Sequence, residues 1–269
     1  MKNSQRCMPD YPLLLTGTID TGVFGNNNVV LTDTGERLRQ YIEVITNYIQ
    51  TSPFNPIVFA ENSGHPFPTD QLTALAREAG KEFEFLFVDT SKEKTAAFGK
   101  SFGEAYLITQ AIERSRALNE SPFVYKCTGR VFLQNAQDIC RTANNGRSEF
   151  VTIRHREACL TVFFKLSLAD YRKGLTALPD YCNEKEGMDV ERGFYRLLRE
   201  KEIKYSCFPV YPRLHGVCGT NGGNYDKSPK NLTIKDKMIR YGLFSNKKLS
   251  PIQKALYQFI QKYREDWFW

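Results

Sequence analysis

Lys126, Thr128 and Arg130 stand around Gly129 at the end of the apolar run Phe123-Val124-Tyr125. Two cations, a hydroxyl and a glycine within five residues suit an anion, above all a phosphate, which binds charge-assisted donors and exposed backbone N–H groups. A strand followed by a turn with two solvated cations would give the same pattern without a ligand. Three other polar stretches also follow apolar runs: Thr16-Gly17-Thr18 after Leu13–Leu15, Glu61-Asn62-Ser63-Gly64 after Ile57–Ala60, and Asp89-Thr90 after Phe83–Val88. In a parallel sheet such ends converge on one edge, where open α/β folds bind ligands.

A proton acceptor is sought among the carboxylates. Glu191 falls near the start of a helical pattern and on the same side as Phe194, Tyr195 and Leu198, so it points inward. An inward carboxylate beside a cleft is a candidate general base, and Asp189 competes for the role. Favouring the helix dipole is the structural alternative for Glu191. Glu104 has the spacing of a capping box with Ser101, so capping its own helix is its expected job. His65, His155 and His215 show no metal-ligand spacing, and no D-x-D follows any apolar run. No metal or cofactor is expected. His215 leads into the glycine-rich stretch Gly216–Gly223, where backbone can approach a ligand closely.

The elements that must position these residues alternate strand and helix in the first half. Leu38, Tyr41, Ile42, Ile45, Tyr48 and Ile49 recur at helical spacing behind the cap candidates Asp33 and Thr34. A short helix opens at Pro68-Thr69 and stops at Gly80, and another runs from the Gly99–Gly103 stretch through Leu118. Strands separated by helices at this spacing predict βαβ units and a mostly parallel sheet. In the second half, Glu149–Ile153 and Cys159–Lys165 pattern as strands around the basic turn Arg154-His155-Arg156. Helices are expected at Ala169–Leu175 and Met188–Lys201, and a strand at Cys207–Tyr211.

With 269 residues, 41% hydrophobic and 25% charged, the chain is long enough for a full core. Its net charge of +7 favours anionic ligands or an anionic membrane surface. No basic helix with interleaved aromatics calls for nucleic acid. Seven cysteines without a C-x-x-C pair fit reduced thiols in a cytoplasmic protein. Met1–Pro12 lacks the apolar segment of a secretory signal, and no run of about eighteen apolar residues is present. Residues 227–269 form a basic linker and an amphipathic helix, Pro251–Tyr263, striped with Ile252, Leu256, Phe259, Ile260 and Tyr263. With Lys247, Lys248, Lys254, Lys262 and Trp267-Phe268-Trp269, this tail is suited either to an anionic leaflet or to packing on its own domain or a partner subunit.

In order, Leu15-Thr16-Gly17-Thr18-Ile19, Asp33–Tyr41, Phe59–Gly64, Gly99–Glu104, Lys126–Arg130 and His215–Thr220 resemble bacterial glycosyltransferases of capsule and lipopolysaccharide synthesis. The resemblance covers roughly Leu13–Tyr225. It implies a GT-A-like fold over residues 1–226, a nucleotide-sugar donor and a glycan or lipid-linked glycan acceptor. It also implies work at the cytoplasmic face of the inner membrane. The donor and acceptor residues it implies are Thr16, Gly17, Thr18, Glu61, Asn62, Ser63, Lys100, Gly103, Glu104, Thr128, Gly129, His215 and Gly216. Lys126, Arg130 and Glu191 or Asp189 would carry the chemistry. Most GT-A enzymes place a metal-binding D-x-D where this chain has Lys126–Arg130, so the two cations are expected to replace the ion. Two rivals stand beside this reading. A sugar-phosphate nucleotidyltransferase would need a cationic first loop, which Thr16–Asn28 lacks. A non-catalytic membrane-surface or anion-binding protein would leave the aligned strand ends unexplained.

Overall fold

A computed structural model describes residues 11–25, 29–143, 146–219 and 222–268. Four parallel strands form its centre: β1 (Leu13–Gly17), β2 (Ile57–Glu61), β3 (Phe83–Phe87) and β4 (Phe123–Thr128). A short β5 (Val131–Leu133) follows β4, and a small hairpin pairs β6 (Thr152–Ile153) with β7 (Ala158–Cys159). Strand β8 (Phe163–Ser167) then adds antiparallel to β4, giving the five-stranded order β3-β2-β1-β4-β8. β9 (Leu214–Gly216) pairs with β5. The result is a Rossmann-like, mostly parallel sheet flanked by helices, consistent with the GT-A-like fold expected above. The chain order reverses between β1 and β4, so the crevice between their carboxyl ends is the place for a ligand.

Strand alternation divides the apolar residues between two cores. Leu13, Leu15, Phe59, Tyr125 and Cys127 face one cluster, while Leu14, Val58, Ala60 and Val124 face the other. The first cluster is covered by α1 (Thr34–Thr51) and α2 (Thr69–Glu78), with Tyr41, Ile45, Tyr48, Ile49, Leu72 and Ala76 packed inward. The expected cap is present: Asp33 accepts from the Glu36 backbone N–H at 2.6 Å.

The second cluster is covered by later helices. A short α3 (Lys92–Phe98) precedes α4 (Lys100–Arg114) and α5 (Arg116–Asn119), so the helix expected through Leu118 is broken at Ser115. After α6 (Ala136–Thr142) come α7 (Leu168–Gly174) and α8 (Val190–Glu200), which bring Leu168, Tyr171, Phe194, Leu197 and Leu198 to this face.

Two expectations for the second half are corrected. Cys207–Tyr211 forms no strand; the paired segment lies beyond it, at β9, and Cys207–Tyr211 instead lends Phe208 and Tyr211 to the first core. The supposed linker contains α9 (Pro229–Arg240), started by Ser228 capping Asn231. The tail continues through α10 (Pro251–Tyr263) into a short 3-10 turn, Glu265–Phe268, and Met238, Leu243, Phe244, Tyr257, Ile260 and Phe268 all enter the first core. Phe268 is therefore no membrane anchor, and Trp269 lies outside the described residues. The buried side of α10 is Tyr257 and Ile260, whereas Ile252, Phe259 and Tyr263 of the expected stripe face solvent. Among the described residues, no helix is long and apolar enough to cross a membrane.

Candidate active site

A cavity of about 630 Å³ opens at the switch point. Its lining comes from the ends of β1 and β4, the first turns of α1, α4 and α8, and a return segment carrying Cys218, Gly219 and Tyr225. Thr16 and Thr128 sit side by side in register, so the β1 and β4 ends reach the cavity at one level.

Tyr41 is the pivot of one wall. Its ring fills the space beside Gly17 and Gly129: a Cβ on either would lie within 2.5–3.0 Å of ring carbons. These glycines are required by a packed ring. The Tyr41 hydroxyl accepts from the Thr18 N–H at 3.1 Å, tying α1 to the loop after β1.

Two guanidiniums flank that ring. Arg130 lies over it at 5.8 Å and Arg37 at 6.0 Å from the centroid. Both line the cavity and are almost fully buried, at 5% and 4% exposure. Arg37 is held by backbone carbonyls: Nε donates to Thr18 at 3.0 Å and Ile19 at 3.1 Å, and Nη1 to Leu31 at 3.0 Å. Its Nη2 also donates to the Thr18 carbonyl. Arg130 donates from Nη1 to Gln40 at 2.9 Å, and its buried Nε has no hydrogen-bond partner among the described residues. Gly219 packs against its Nη2. Among the described residues, neither arginine forms an ion pair with a carboxylate. Burial lowers the pKa of Arg37; Tyr41 partly offsets this, and the like charge of Arg130 lowers it further. Two desolvated like charges side by side are costly unless an anion joins them.

The opposite wall is acidic. Glu104 and Glu191 both line the cavity. Glu104 accepts from Lys126 Nζ at 2.6 Å, and Lys126 donates again to the Thr161 carbonyl at 2.9 Å. The Thr161 hydroxyl in turn donates to Glu191 at 2.8 Å. Burial pushes the Glu191 carboxyl up to about 7, helped by the Glu104 charge and opposed by the Thr161 hydrogen bond. An acid poised there can take a proton near neutral pH. Burial, followed by Cys218, also raises the Tyr225 phenol, with the charges of Glu104 and Glu191 adding to the effect.

The cavity brings together Thr16, Gly17, Thr18, Asn62, Lys100, Gly103, Glu104, Thr128, Arg130 and Glu191, all singled out from sequence. Gly129 lies behind them under Tyr41. Several other candidates have different jobs. Lys126 is only 1% exposed and spent on Glu104 and Thr161; as a strand residue it points into the second core's face beside Phe164, and it does not line the cavity. Glu61 is fully buried and clamps two loops, accepting from the N–H groups of Ile19 at 2.9 Å, Ser63 at 2.8 Å and Gly64 at 2.8 Å. Ser63 completes that clamp, accepting from the Asp20 N–H at 3.0 Å.

Asp189 caps α8, accepting from the Arg192 N–H at 2.9 Å and pairing with its guanidinium at 2.6 Å. His215 is exposed on β9 and pairs with Asp226 at 2.8 Å, and Gly216 backs onto the Arg130 carbonyl. Neither lines the cavity. Glu104 does not cap its helix. The start of α4 is capped from a distance by Glu184, which accepts from Ser101 N–H at 3.1 Å and its hydroxyl at 2.6 Å. Thr220 and Asn221 lie outside the described residues.

Sequence reasoning missed Arg37, Thr161, Glu184 and Tyr225. Arg37 carried one signal: it lies four residues before Tyr41, so it shares the buried face of an otherwise apolar helix. The others come from loops whose return to this edge no local pattern announces.

No family model matches the chain, and no curated protein matches it. Among solved structures it is similar to the apo structure of the WbbM bifunctional glycosyltransferase, with a TM-score of 0.42 and 9% identity. The similarity covers 74% of this chain and 38% of that one, so the chain spans little over a third of that protein. A likeness at that level says nothing about chemistry, which rests on the cavity alone.

Proposed function

We propose that this protein is a glycosyltransferase that moves a sugar from a nucleotide-activated donor to a surface-glycan acceptor. The observation that carries the reading is the pair of buried arginines, Arg37 and Arg130, facing a switch-point cavity without a carboxylate partner among the described residues. A donor phosphate fits between them as the missing counter-ion. In this reading Arg130, just past the strand end where the GT-A resemblance would put a D-x-D, supplies with Arg37 the positive charge for the leaving phosphate, and transfer proceeds without a metal ion. Thr16, Thr18 and Asn62 line the side assigned to the nucleotide.

The step is a displacement at the anomeric carbon. The bond from that carbon to the donor phosphate oxygen breaks, and its electron pair leaves with the phosphate toward Arg37 and Arg130. The acceptor hydroxyl oxygen bonds to the same carbon, and its proton passes to Glu191. Preorganised cations at a developing negative charge are worth several kcal/mol, on the order of 2–4 per group.

The acceptor side is assigned to an anionic lipid surface, at the cytoplasmic face of a membrane. Ile252, Phe259 and Tyr263 are 82%, 56% and 59% exposed at i, i+7 and i+11 of α10, with Lys254 and Lys262 on the same helix. Sedimentation with anionic vesicles is expected for the full chain and not for Ile252→Glu with Phe259→Glu.

The activity is tested by incubating the full chain with a panel of nucleotide-sugars in EDTA and measuring released nucleotide. Release from one donor class, strongly slowed in Arg130→Ala, is expected. Consumption of a nucleoside triphosphate with release of pyrophosphate would instead favour nucleotidyl transfer.

A further inference from the structure

A second cavity, of about 700 Å³, lies at the other end of α8. Its wall carries four cations, Arg154, Lys173, Arg199 and Lys204, against one carboxylate, Glu202. Arg199 is shared with Glu157 at 3.4 Å, in a solvent-exposed pair worth little. Lys204 and Lys173 have no ion pair among the described residues. Arg154 donates to the Lys247 carbonyl, while its Nε is buried with no partner among the described residues. Lys173 Nζ reaches only the Glu202 backbone carbonyl, at 3.5 Å. An unsatisfied buried guanidinium N–H beside lysines without a carboxylate partner among the described residues is a place for an anion.

The cavity is more than a charge patch. Tyr195 offers a partly exposed ring, with Arg199 over it at 5.7 Å, and Leu198 and Ile203 supply an apolar floor. An aromatic face beside cations suits a ring that is apolar on one side and anionic at its edge. That is the chemistry of a sugar bearing a carboxylate or a phosphate. The position on α8 connects the two cavities. Glu191, Tyr195 and Leu198 recur at i, i+4 and i+7, one face of one helix. At about 1.5 Å per residue, Tyr195 stands roughly 6 Å along the axis from Glu191.

We propose that this second cavity is a subsite for an anionic saccharide, holding the acceptor chain whose terminal hydroxyl meets Glu191. The acceptor assignment rests on the glycosyl-transfer reading; the saccharide binding does not. Arg154, Lys173 and Lys204 hold the acid groups and Tyr195 carries a sugar ring. α8 is the rigid ruler between recognition and proton transfer.

The test is titration calorimetry on the full chain with a uronate-bearing hexasaccharide, using neutral maltohexaose and inorganic phosphate as comparisons. The uronate sugar is expected to bind at least about tenfold more tightly than the neutral one. The pair Lys173→Glu with Lys204→Glu, both exposed positions, should weaken it by a similar factor while leaving nucleotide binding unchanged. Tyr195→Ala should weaken it several-fold. Equal binding of the neutral sugar, or no loss in the lysine pair, would overturn the proposal. So would phosphate displacing the hexasaccharide mole for mole, which marks an anion site only. Loss of binding in Arg130→Ala would place the sugar in the first cavity and also overturn it. Hexasaccharide binding with no response to any nucleotide would sink the transferase reading and leave the saccharide site standing.

Discussion

The two walls of the switch-point cavity handle charge in opposite ways. On the Tyr41 wall, Arg37 and Arg130 are buried with backbone carbonyls and an amide for company, so their positive charge is held in place and left uncancelled. On the α8 wall, Lys126 cancels Glu104 and braces Thr161, while Glu191 accepts from the Thr161 hydroxyl and has no cation beside it among the described residues. The first wall can keep an anion and the second can accept a proton. The proposed transfer needs both walls, and the division of labour follows from which charges the fold pairs.

The comparison breaks most severely at Glu191. Glu191→Gln should lower turnover by roughly 10²–10⁴ with donor KM unchanged, because only the proton acceptor is lost. In the wild type, activity should rise with pH through about 7 as Glu191 deprotonates, and that limb should vanish in the variant. Initial rates at saturating acceptor across pH 5–9 check both.

Arg130→Ala should cost about 2–4 kcal/mol in the barrier, read as kcat/KM for the donor, and leave the pH limb in place. A loss of the limb with no effect on donor use would reverse the roles of the two walls.

Stability gives a third contrast. Below about pH 4.5, Glu191 is protonated folded or unfolded; between there and about 7 only the unfolded chain ionises, so its contribution falls as pH rises. Glu191→Gln should therefore be more stable than wild type by about 1–3 kcal/mol at pH 8 and equal at pH 4, as denaturant melts would report.

The smallest effect separates neighbours. Asp189→Ala should cost about 1 kcal/mol of stability through the lost cap and leave the pH limb intact. A shift of the kinetic pKa with Asp189 and not Glu191 would exchange their roles.

Much of the frame was legible because its causes are local. Apolar runs ending in Gly, Thr or Asn mark β1, β2 and β4, and the spacing from Leu38 to Ile49 marks α1. Arg130 was legible as a cation just past a strand end, and Glu191 as a carboxylate on an apolar helix side. Lys126 was misjudged because a position two residues short of a strand end lies in the sheet, where a lysine must find a partner inside the protein. The capping expected of Glu104 failed because a long-range ion pair with Lys126 took its carboxylate, and Glu184 supplied the cap from about eighty residues away. Arg37 went unnoticed because a lone cation in an apolar stripe gains meaning only when Arg130 is brought beside it. Long-range pairing of charge, which no spacing records, decided each of these cases.

The central claim is that Arg37 and Arg130 together hold a donor phosphate without a metal ion. It is tested most directly by thermal denaturation of wild type and Arg130→Ala with nucleoside mono- and diphosphates in EDTA. One nucleotide class should raise the wild-type melting temperature in EDTA, by mass action, and should leave Arg130→Ala unmoved. A wild-type shift that appears only when a divalent ion is added, or that survives intact in Arg130→Ala, would contradict it.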